Sequence, residues 1–359
     1  MGTDRQSEQS VPFRQITGSC AVISSIEITR FRGIREGKLE DLTPLVVLVG
    51  PNGCGKSTVL DALLIGASPT PAEAVVRTVR RHHGVEQGPL WLFWRGETQN
   101  PPGVVVRSAK GPGRRCHLSW EAMSSEERGK LAKITCLVDW PGTPGISSKS
   151  CAATFARRSR YDQCKGGTVA GLDGVSEIRL IESDRDERQA PLHELYTATR
   201  RAGRQGEARA IIAQLIPHMR DLEILTEADK PIMYLVYEDC AVPVALSGDG
   251  IRALARVTLE LASRPAGVVL LEEPEVHQHP GAIRQTMRAV LAAVRRDIQV
   301  ILTTHSLELI DALLAESSDE DLEKFSLYRL ELEDGRLISV RMPGPDVAFS
   351  RNQIENDLR

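Results

Sequence analysis

No apolar run in the 359-residue chain approaches the ~20 residues needed to cross a bilayer, and the polar stretch Met1 to Gln9 lacks the apolar core of a secretory signal. These absences exclude a membrane-spanning or secreted chain at the level of sequence and predict a cytoplasmic protein that does not itself enter a membrane, with attachment to a membrane partner left open. No C-x-x-C pair occurs among the seven cysteines, Cys20, Cys54, Cys116, Cys136, Cys151, Cys164 and Cys240. An odd, scattered set argues against a disulfide framework and for reduced thiols. A zinc site from Cys116, His117, Cys151 and Cys164 would need a knuckle pair that the spacing does not supply, so core or loop thiols are the better reading. A strong charge imbalance is also missing: the net charge is -3, which gives no whole-molecule reason to bind a polyanion. No internal repeat is visible.

What is present is an ordinary globular composition, 41% hydrophobic and 26% charged. The length allows one large domain, or two lobes sharing one site. Residues 1–18 carry no periodicity and read as a flexible tail, with residues 19–359 forming a single head. Ala21, Ile23, Ile26 and Ile28 bracket a first strand closed by Gly33, before a polar hairpin around Glu36 and Gly37. Leu45-Val46-Val47-Leu48-Val49 is a continuous run expected of a strand buried on both faces. Val59, Leu60, Leu63 and Leu64 then recur at helical spacing. Residues 100–205 are broken by Pro101, Pro102, Gly111, Pro112, Gly113, Pro141 and further breakers, and read as an inserted, partly mobile or helical lobe. Arg157, Arg158, Arg160, Arg200, Arg201 and Arg204 read as a solvated face in preference to phosphate contacts. Helices from Gly206 to Met219, Ile251 to Ser263 and about Gly281 to Arg296 alternate with strands Ile232 to Tyr237, Val268 to Leu271 and Ile298 to Leu302. Asp334-Gly335, between two apolar runs, signals a hairpin. The alternation predicts an α/β fold with a mostly parallel sheet and helices on both faces.

The segment Gly50-Pro51-Asn52-Gly53-Cys54-Gly55-Lys56-Ser57 satisfies G-x-x-x-x-G-K-[ST] at every fixed position, after a buried strand and at the start of a helix. Glycines let the backbone curl so that successive N–H groups point at the β- and γ-phosphates, and the helix N-terminus adds partial positive charge. Lys56 is placed to bridge the phosphates and Ser57 to ligate Mg²⁺, with Thr58 following in the first turn, so ATP with Mg²⁺ is the expected ligand. Val268-Val269-Leu270-Leu271 leads into Glu272-Glu273-Pro274-Glu275, an acidic pair at the end of a buried strand, where open α/β sheets bind ligands. Glu272 is placed to hold Mg²⁺ through water, and Glu273 to polarise the attacking water. Thr303-Thr304-His305-Ser306 ends the next strand, and His305 is within the chemistry of contacting the γ-phosphate or the water. Ser247-Gly248-Asp249-Gly250 precedes a helix and offers another anion cradle, although taken alone these residues read better as a simple N-cap.

In this order the motifs resemble the ABC ATPase superfamily, in its soluble branch with RecF, SMC and OLD-family proteins. Ile26 to Ile34 resembles that branch's first strand, Glu273-Pro274-Glu275 with His279-Pro280 its acidic motif, and Thr304 to Ile310 its following segment. The resemblance implies an ABC-type head with a β-lobe and a helical lobe, closing head to tail around ATP. Ser247, Gly248 and Gly250 of one subunit would then touch the γ-phosphate held by its partner, in an ATP-dependent homodimer or higher oligomer. It also implies a sensor or motor in anti-phage defence or DNA repair, acting with a separately encoded effector such as a nuclease, with DNA as a candidate partner. Glu272 stands where most of the superfamily carries Asp, which lengthens the metal-ligand arm, and Asp249 replaces a glycine. Gln87 and Gln99 are both candidates for the glutamine that couples the lobes. Neither a long heptad region nor an acidic nuclease segment occurs in the 359 residues. A nucleotide-gated scaffold with little turnover stays open as an alternative, and the nucleotide-binding subunit of a transporter is disfavoured by the branch-specific motifs.

Overall fold

The chain enters through β1 (Ile23–Phe31), β2 (Ile34–Leu39) and β3 (Leu45–Val49), followed by α1 (Lys56–Ala67) and α2 (Pro71–Arg80). The computed structural model describes residues 23–81, 88–109, 111–123, 130–141, 147–156, 163–169, 175, 177–182, 190–354 and 357–358. The tail expected at 1–18, Gln87, and the cluster Arg157, Arg158 and Arg160 lie outside the described residues. After α2 come β4 (Gly103–Ser108), β5 (Arg114–Ala122), β6 (Lys130–Asp139), β7 (Lys149–Ala156), β8 (Gln163–Lys165) and β9 (Ile178–Glu182). Helices α3 (Leu192–Arg201) and α4 (Gln205–Ala213) lead to a small antiparallel sheet of β10 (Asp221–Glu227), β11 (Lys230–Val236) and β12 (Ala241–Pro243). Then α5 (Asp249–Ala262), β13 (Gly267–Glu272), α6 (Pro280–Val294), β14 (Ile298–Thr303), α7 (Leu307–Glu316) and α8 (Asp319–Glu323) alternate. The described elements close with β15 (Phe325–Glu333), β16 (Arg336–Pro343) and α9 (Gly344–Ile354).

One thirteen-stranded sheet carries the order β8-β7-β6-β5-β4-β1-β2-β16-β15-β3-β14-β13-β9. Its half around β3 is parallel, with β15, β14, β13 and β9 aligned alongside. Buried parallel strands need apolar residues on both faces. In β3, Val46 and Leu48 enter one core with α1 and α2, while Leu45, Val47 and Val49 enter the other with α3 to α7. In β13, Val268 and Leu270 divide from Val269 and Leu271 in the same way. The chain adopts the expected α/β fold with helices on both faces, but the sheet is mixed and not mostly parallel, because β8 to β4, β1 and β2 join by antiparallel pairings.

Between residues 100 and 205 the chain differs from the inserted or helical lobe expected there. Strand β4 pairs antiparallel with β1, and β5 to β8 extend the same sheet by successive antiparallel pairings. The breakers Pro101, Pro102, Gly111, Pro112, Gly113 and Pro141 fall in the connections, while Val104, Val106, Leu118, Ile134 and Val138 alternate into the core. Among the described residues of this stretch, helix first appears with α3. The hairpin expected near Glu36 and Gly37 also moves: the turn is at Arg32-Gly33, with Phe31 opposite Ile34. Gly37 lies inside β2, where a Cβ would come within 2.5 Å of Leu337, so its glycine serves the close approach of β16. Asp334 and Gly335 have φ of 47° and 81° and form the β15–β16 turn that their sequence signals.

Cys116, Cys136 and Cys151 are buried on β5, β6 and β7, and Cys164 is exposed. Among the described residues no cluster of three or more His, Cys, Asp and Glu is arranged to hold a metal. Arg204 donates to the carbonyls of Ala262 at 3.0 Å and Arg264 at 2.6 Å, capping the end of α5, while Arg200 and Arg201 are exposed. No helix of the described residues is long and apolar enough to cross a membrane.

Candidate functional site

Parallel register brings the C-terminal ends of four strands to one edge. Thr303 is paired with Leu48 and Glu272, and Glu272 with Glu182. The loops that leave these ends carry the motifs. From β3 the chain turns through Gly50, Gly53 and Gly55, with φ of 138°, 80° and 99°, a run that only glycine adopts without strain. Gly55 is the left-handed N-cap of α1. A Cβ on Gly50 would collide with the Leu330 carbonyl oxygen and lie 2.9 Å from Cys54 Sγ. Gly50→Ala is therefore expected to cost about 2 kcal/mol of stability, read as a lower thermal midpoint than wild type. Asn52 and Gly53 are exposed at the loop tip, Cys54 is buried beneath it, and Ser57 and Thr58 are half-buried in the first turn of α1.

Lys56 is 5% exposed. Its Nζ donates to the Gly50 carbonyl at 2.9 Å and the Pro51 carbonyl at 3.2 Å, and lies 3.5 Å from His305 Nδ1. Burial lowers its pKa from the ordinary value, opposed by the nearby Cys54, Glu273 and Glu275. His305 Nε2 in turn is 3.0 Å from Glu273 Oε1. An ammonium only donates and a carboxylate only accepts, so a neutral imidazole with its proton on Nε2 satisfies both neighbours. Lys56, His305 and Glu273 thus form one polar chain drawn from three separate motifs. Glu273 has φ of 42°, and its amide donates to the carbonyl and hydroxyl oxygens of Thr303 at 3.1 and 3.2 Å. A non-glycine residue held in this region at a ligand-binding edge is backbone strain of the kind found at working sites.

Glu275 was not among the residues singled out for chemistry, yet it braces the His305 loop. Its Oε1 accepts from Thr304 Oγ1 at 2.5 Å and from the His305 amide at 3.2 Å. Burial pushes its carboxyl pKa up against the pull of these bonds, and Oε2 is buried with no hydrogen-bond partner. Ser306 has a structural part: its hydroxyl accepts from Leu309 N at 3.3 Å as the N-cap of α7.

Glu272 points elsewhere. Arg81 Nη2 binds its Oε1 at 2.8 Å and Nη1 its Oε2 at 2.7 Å. Arg81 also meets Glu182 at 3.1 Å and Asp61 at 3.3 Å, and Asp61 meets Arg32 at 3.0 Å. Burial disfavours the Arg81 cation, but the carboxylates of Asp61, Glu272 and Glu182 outweigh it and hold its pKa above the ordinary value. Of this network only Glu272 was legible as a site residue. Asp61 carried a signal, a lone acid inside the apolar run of α1, whereas Arg81 and Glu182 look like solvated charges in sequence.

Ser247, Gly248 and Gly250 are not brought to the Lys56–His305–Glu273 chain by any contact within the described residues. Gly248 is the N-cap of α5 and meets open space, and the neighbouring Leu246 is 78% exposed. Gly250 packs beside the loop after the acidic motif, where a Cβ would stand 3.1 Å from the His277 carbonyl. Gln99 is exposed in a turn.

The residues fit a bound Mg²⁺–nucleotide. The Ser57 hydroxyl at the start of α1 and the Glu272 carboxylate at the end of β13 are the oxygen donors that could meet such an ion, which would bring phosphate oxygens and water as most of its octahedron.

Residues 176–311 match the family described as "AAA domain, putative AbiEii toxin, Type IV TA system", and residues 25–69 match one described as "AAA domain". An uncharacterised protein of Methanocaldococcus jannaschii is 33% identical over 110 residues, which is 30% of this chain and 87% of that protein. An "ATP/GTP phosphatase" of Helicobacter pylori is 19% identical over 374 residues, covering 93% of this chain and 99% of that one. Two solved structures share the fold. An Smc head bound to the C-winged helix domain of ScpA has a TM-score of 0.52 at 14% identity, covering 89% of this chain and 98% of that one. An Smc head with an extended coiled coil, bound to the C-terminal domain of ScpA from Pyrococcus furiosus, has a TM-score of 0.50 at 13% identity, covering 94% and 100%. With a P-loop, an acidic strand end and a His-bearing strand end on one edge of a sheet shared with SMC heads, the chain carries AAA-type P-loop ATPase domains over residues 25–69 and 176–311.

Proposed function

We propose that the chain hydrolyses ATP with Mg²⁺ as a head-to-tail dimer, and that this cycle drives a separately encoded, nuclease-like effector in anti-phage defence or DNA repair in the cytoplasm. The observation that carries the hydrolytic part is the chain Lys56–His305–Glu273, which sets a phosphate-binding cation, a hydrogen-bond relay and a carboxylate side by side. The name of the Helicobacter pylori relative, an ATP/GTP phosphatase, agrees with it.

Lys56 would turn from the Gly50 and Pro51 carbonyls to the phosphates, and the Gly50 to Ser57 amides would hold the β- and γ-phosphates. Glu273 would accept a proton from water as its oxygen bonds to the γ-phosphorus in line and the bond to the β-phosphate oxygen breaks, yielding ADP and phosphate. His305 would keep Glu273 oriented and sense the γ-phosphate. Mg²⁺, held by Ser57 and the phosphates with Glu272 acting through water, would supply neutralisation of the charge that develops. Single-turnover hydrolysis of ATP by the purified chain, with and without chelator, tests this directly. Hydrolysis that persists unchanged in chelator would count against the Mg²⁺ part, and no hydrolysis at all against the whole.

The exposed Leu246, the open Gly248 and the half-buried Ser247 support a signature completed by a second subunit. The expected result is an ATP-dependent doubling of mass in light scattering for wild type. Ser247→Arg should remain at monomer mass with an unchanged thermal midpoint, and a variant that doubles like wild type would exclude action in trans. Work with an effector is supported by the toxin–antitoxin description of the matching family and by the Smc heads that are bound to ScpA. DNA binding is the weaker element, and a steep loss of affinity with salt is its signature.

A further inference from the structure

Glu272 and Glu182 end neighbouring parallel strands in direct register, where strands lie only about 4.8 Å apart. Two carboxylates so placed repel one another unless a cation stands between them. Arg81 is that cation, 4% exposed, with its fork closed on both oxygens of Glu272 at 2.7 and 2.8 Å and one Nη shared with Glu182 at 3.1 Å. Its Nε faces Asp61, which is wholly buried on the P-loop helix α1 and is held from its other side by Arg32. The guanidinium therefore links the P-loop helix to the acidic strand end.

We infer that Arg81 is a positioning residue for the ATPase centre: it holds Glu272 by both oxygens, so that Glu272 meets Mg²⁺ only through water and only when a nucleotide brings the ion. The inference rests on the hydrolytic reading proposed above. A bidentate guanidinium takes one lone pair from each carboxylate oxygen and leaves the others for a metal-bound water. Direct ligation of the metal would have to displace a charge-assisted, desolvated pair. The paired guanidinium also cancels the charge that would draw a free divalent cation to this strand end. Glutamate suits the arrangement: it is one methylene longer than aspartate, and the longer arm is what spans to Arg81.

A purely structural part, neutralising Glu182 and Glu272, would leave metal binding untouched once the protein is folded. Binding of Mn²⁺ to the full chain without nucleotide, measured by electron paramagnetic resonance, separates the two. Wild type should show little Mn²⁺ binding until ATP is added. Arg81→Lys keeps the charge but loses the fork, and Glu272→Asp keeps the carboxylate but withdraws it from the fork. Each should gain nucleotide-free Mn²⁺ affinity by about tenfold or more and lose kcat by a similar factor, with KM for ATP nearly unchanged. Glu272→Asp perturbs the fold least and serves if the Arg81 variant does not fold. A folded Glu272→Asp chain with wild-type Mn²⁺ binding and wild-type kcat would overturn the inference. If wild type itself fails to hydrolyse ATP, the hydrolytic reading falls, while the Mn²⁺ measurement still reports on Arg81.

Discussion

Lys56→Ala lowers the affinity for Mg²⁺–ATP by about 100-fold or more, close to 3 kcal/mol of binding free energy. The size follows from where the ammonium sits. It is 5% exposed and already stripped of most of its water, with its hydrogen bonds going to the Gly50 and Pro51 carbonyls and to Cys54 Sγ, and its fourth neighbour being His305. An ion that has been desolvated by folding loses little further hydration when a phosphate arrives, so the charge-assisted bond is realised nearly in full. Alanine removes that bond and leaves the loop amides to hold the phosphates alone. The loop itself should survive, because its path is set by the left-handed glycines Gly50, Gly53 and Gly55 and by the packing of Cys54. Fluorescent-nucleotide titration against a matched thermal midpoint is the check. Wild-type affinity in a folded variant would remove Lys56 from the phosphate site.

The parts of this molecule that could be read from sequence are those in which a local pattern fixes a global position. A fully apolar run such as Leu45 to Val49 or Val268 to Leu271 must be a strand covered on both faces, and parallel strands place their C-terminal ends together. That is why the loops bearing Lys56, Glu273 and His305 meet on one edge. The antiparallel strands β5, β6 and β7 escaped although they run to 9, 10 and 8 residues, because the Pro and Gly in the connections of this stretch signal irregular chain as much as hairpins. The network around Arg81 escaped for another reason. Arg81, Glu182 and Glu272 are 90 or more residues apart from one to the next, and nothing in a run of charged residues says which of them will be buried together. Gly37 shows the same limit on a smaller scale: its glycine answers to Leu337, 300 residues away.

Glu273→Gln is expected to reduce kcat by about 10²- to 10⁴-fold, the range spanned by a positioned general base, and to leave ATP affinity within a few-fold. Glutamine is isosteric, so its side-chain oxygen still accepts from His305 Nε2 and the 3.0 Å contact can persist. The amide cannot take the proton of the attacking water, which isolates the chemical step from binding. In the dimer reading the variant should also accumulate in the ATP-bound, doubled-mass form, since closure no longer ends in hydrolysis. Equal and negligible single-turnover rates for wild type and Glu273→Gln would instead favour the nucleotide-gated scaffold. The backbone offers an independent measurement. At φ of 42° Glu273 carries strain that glycine does not feel. Glu273→Gly should then abolish turnover while raising stability by about 1 kcal/mol, as expected where a residue is kept for its chemistry against the preference of its backbone. A Glu273→Gly chain less stable than wild type would show that the carboxylate, through His305, holds this edge together and contributes to folding as well as to hydrolysis.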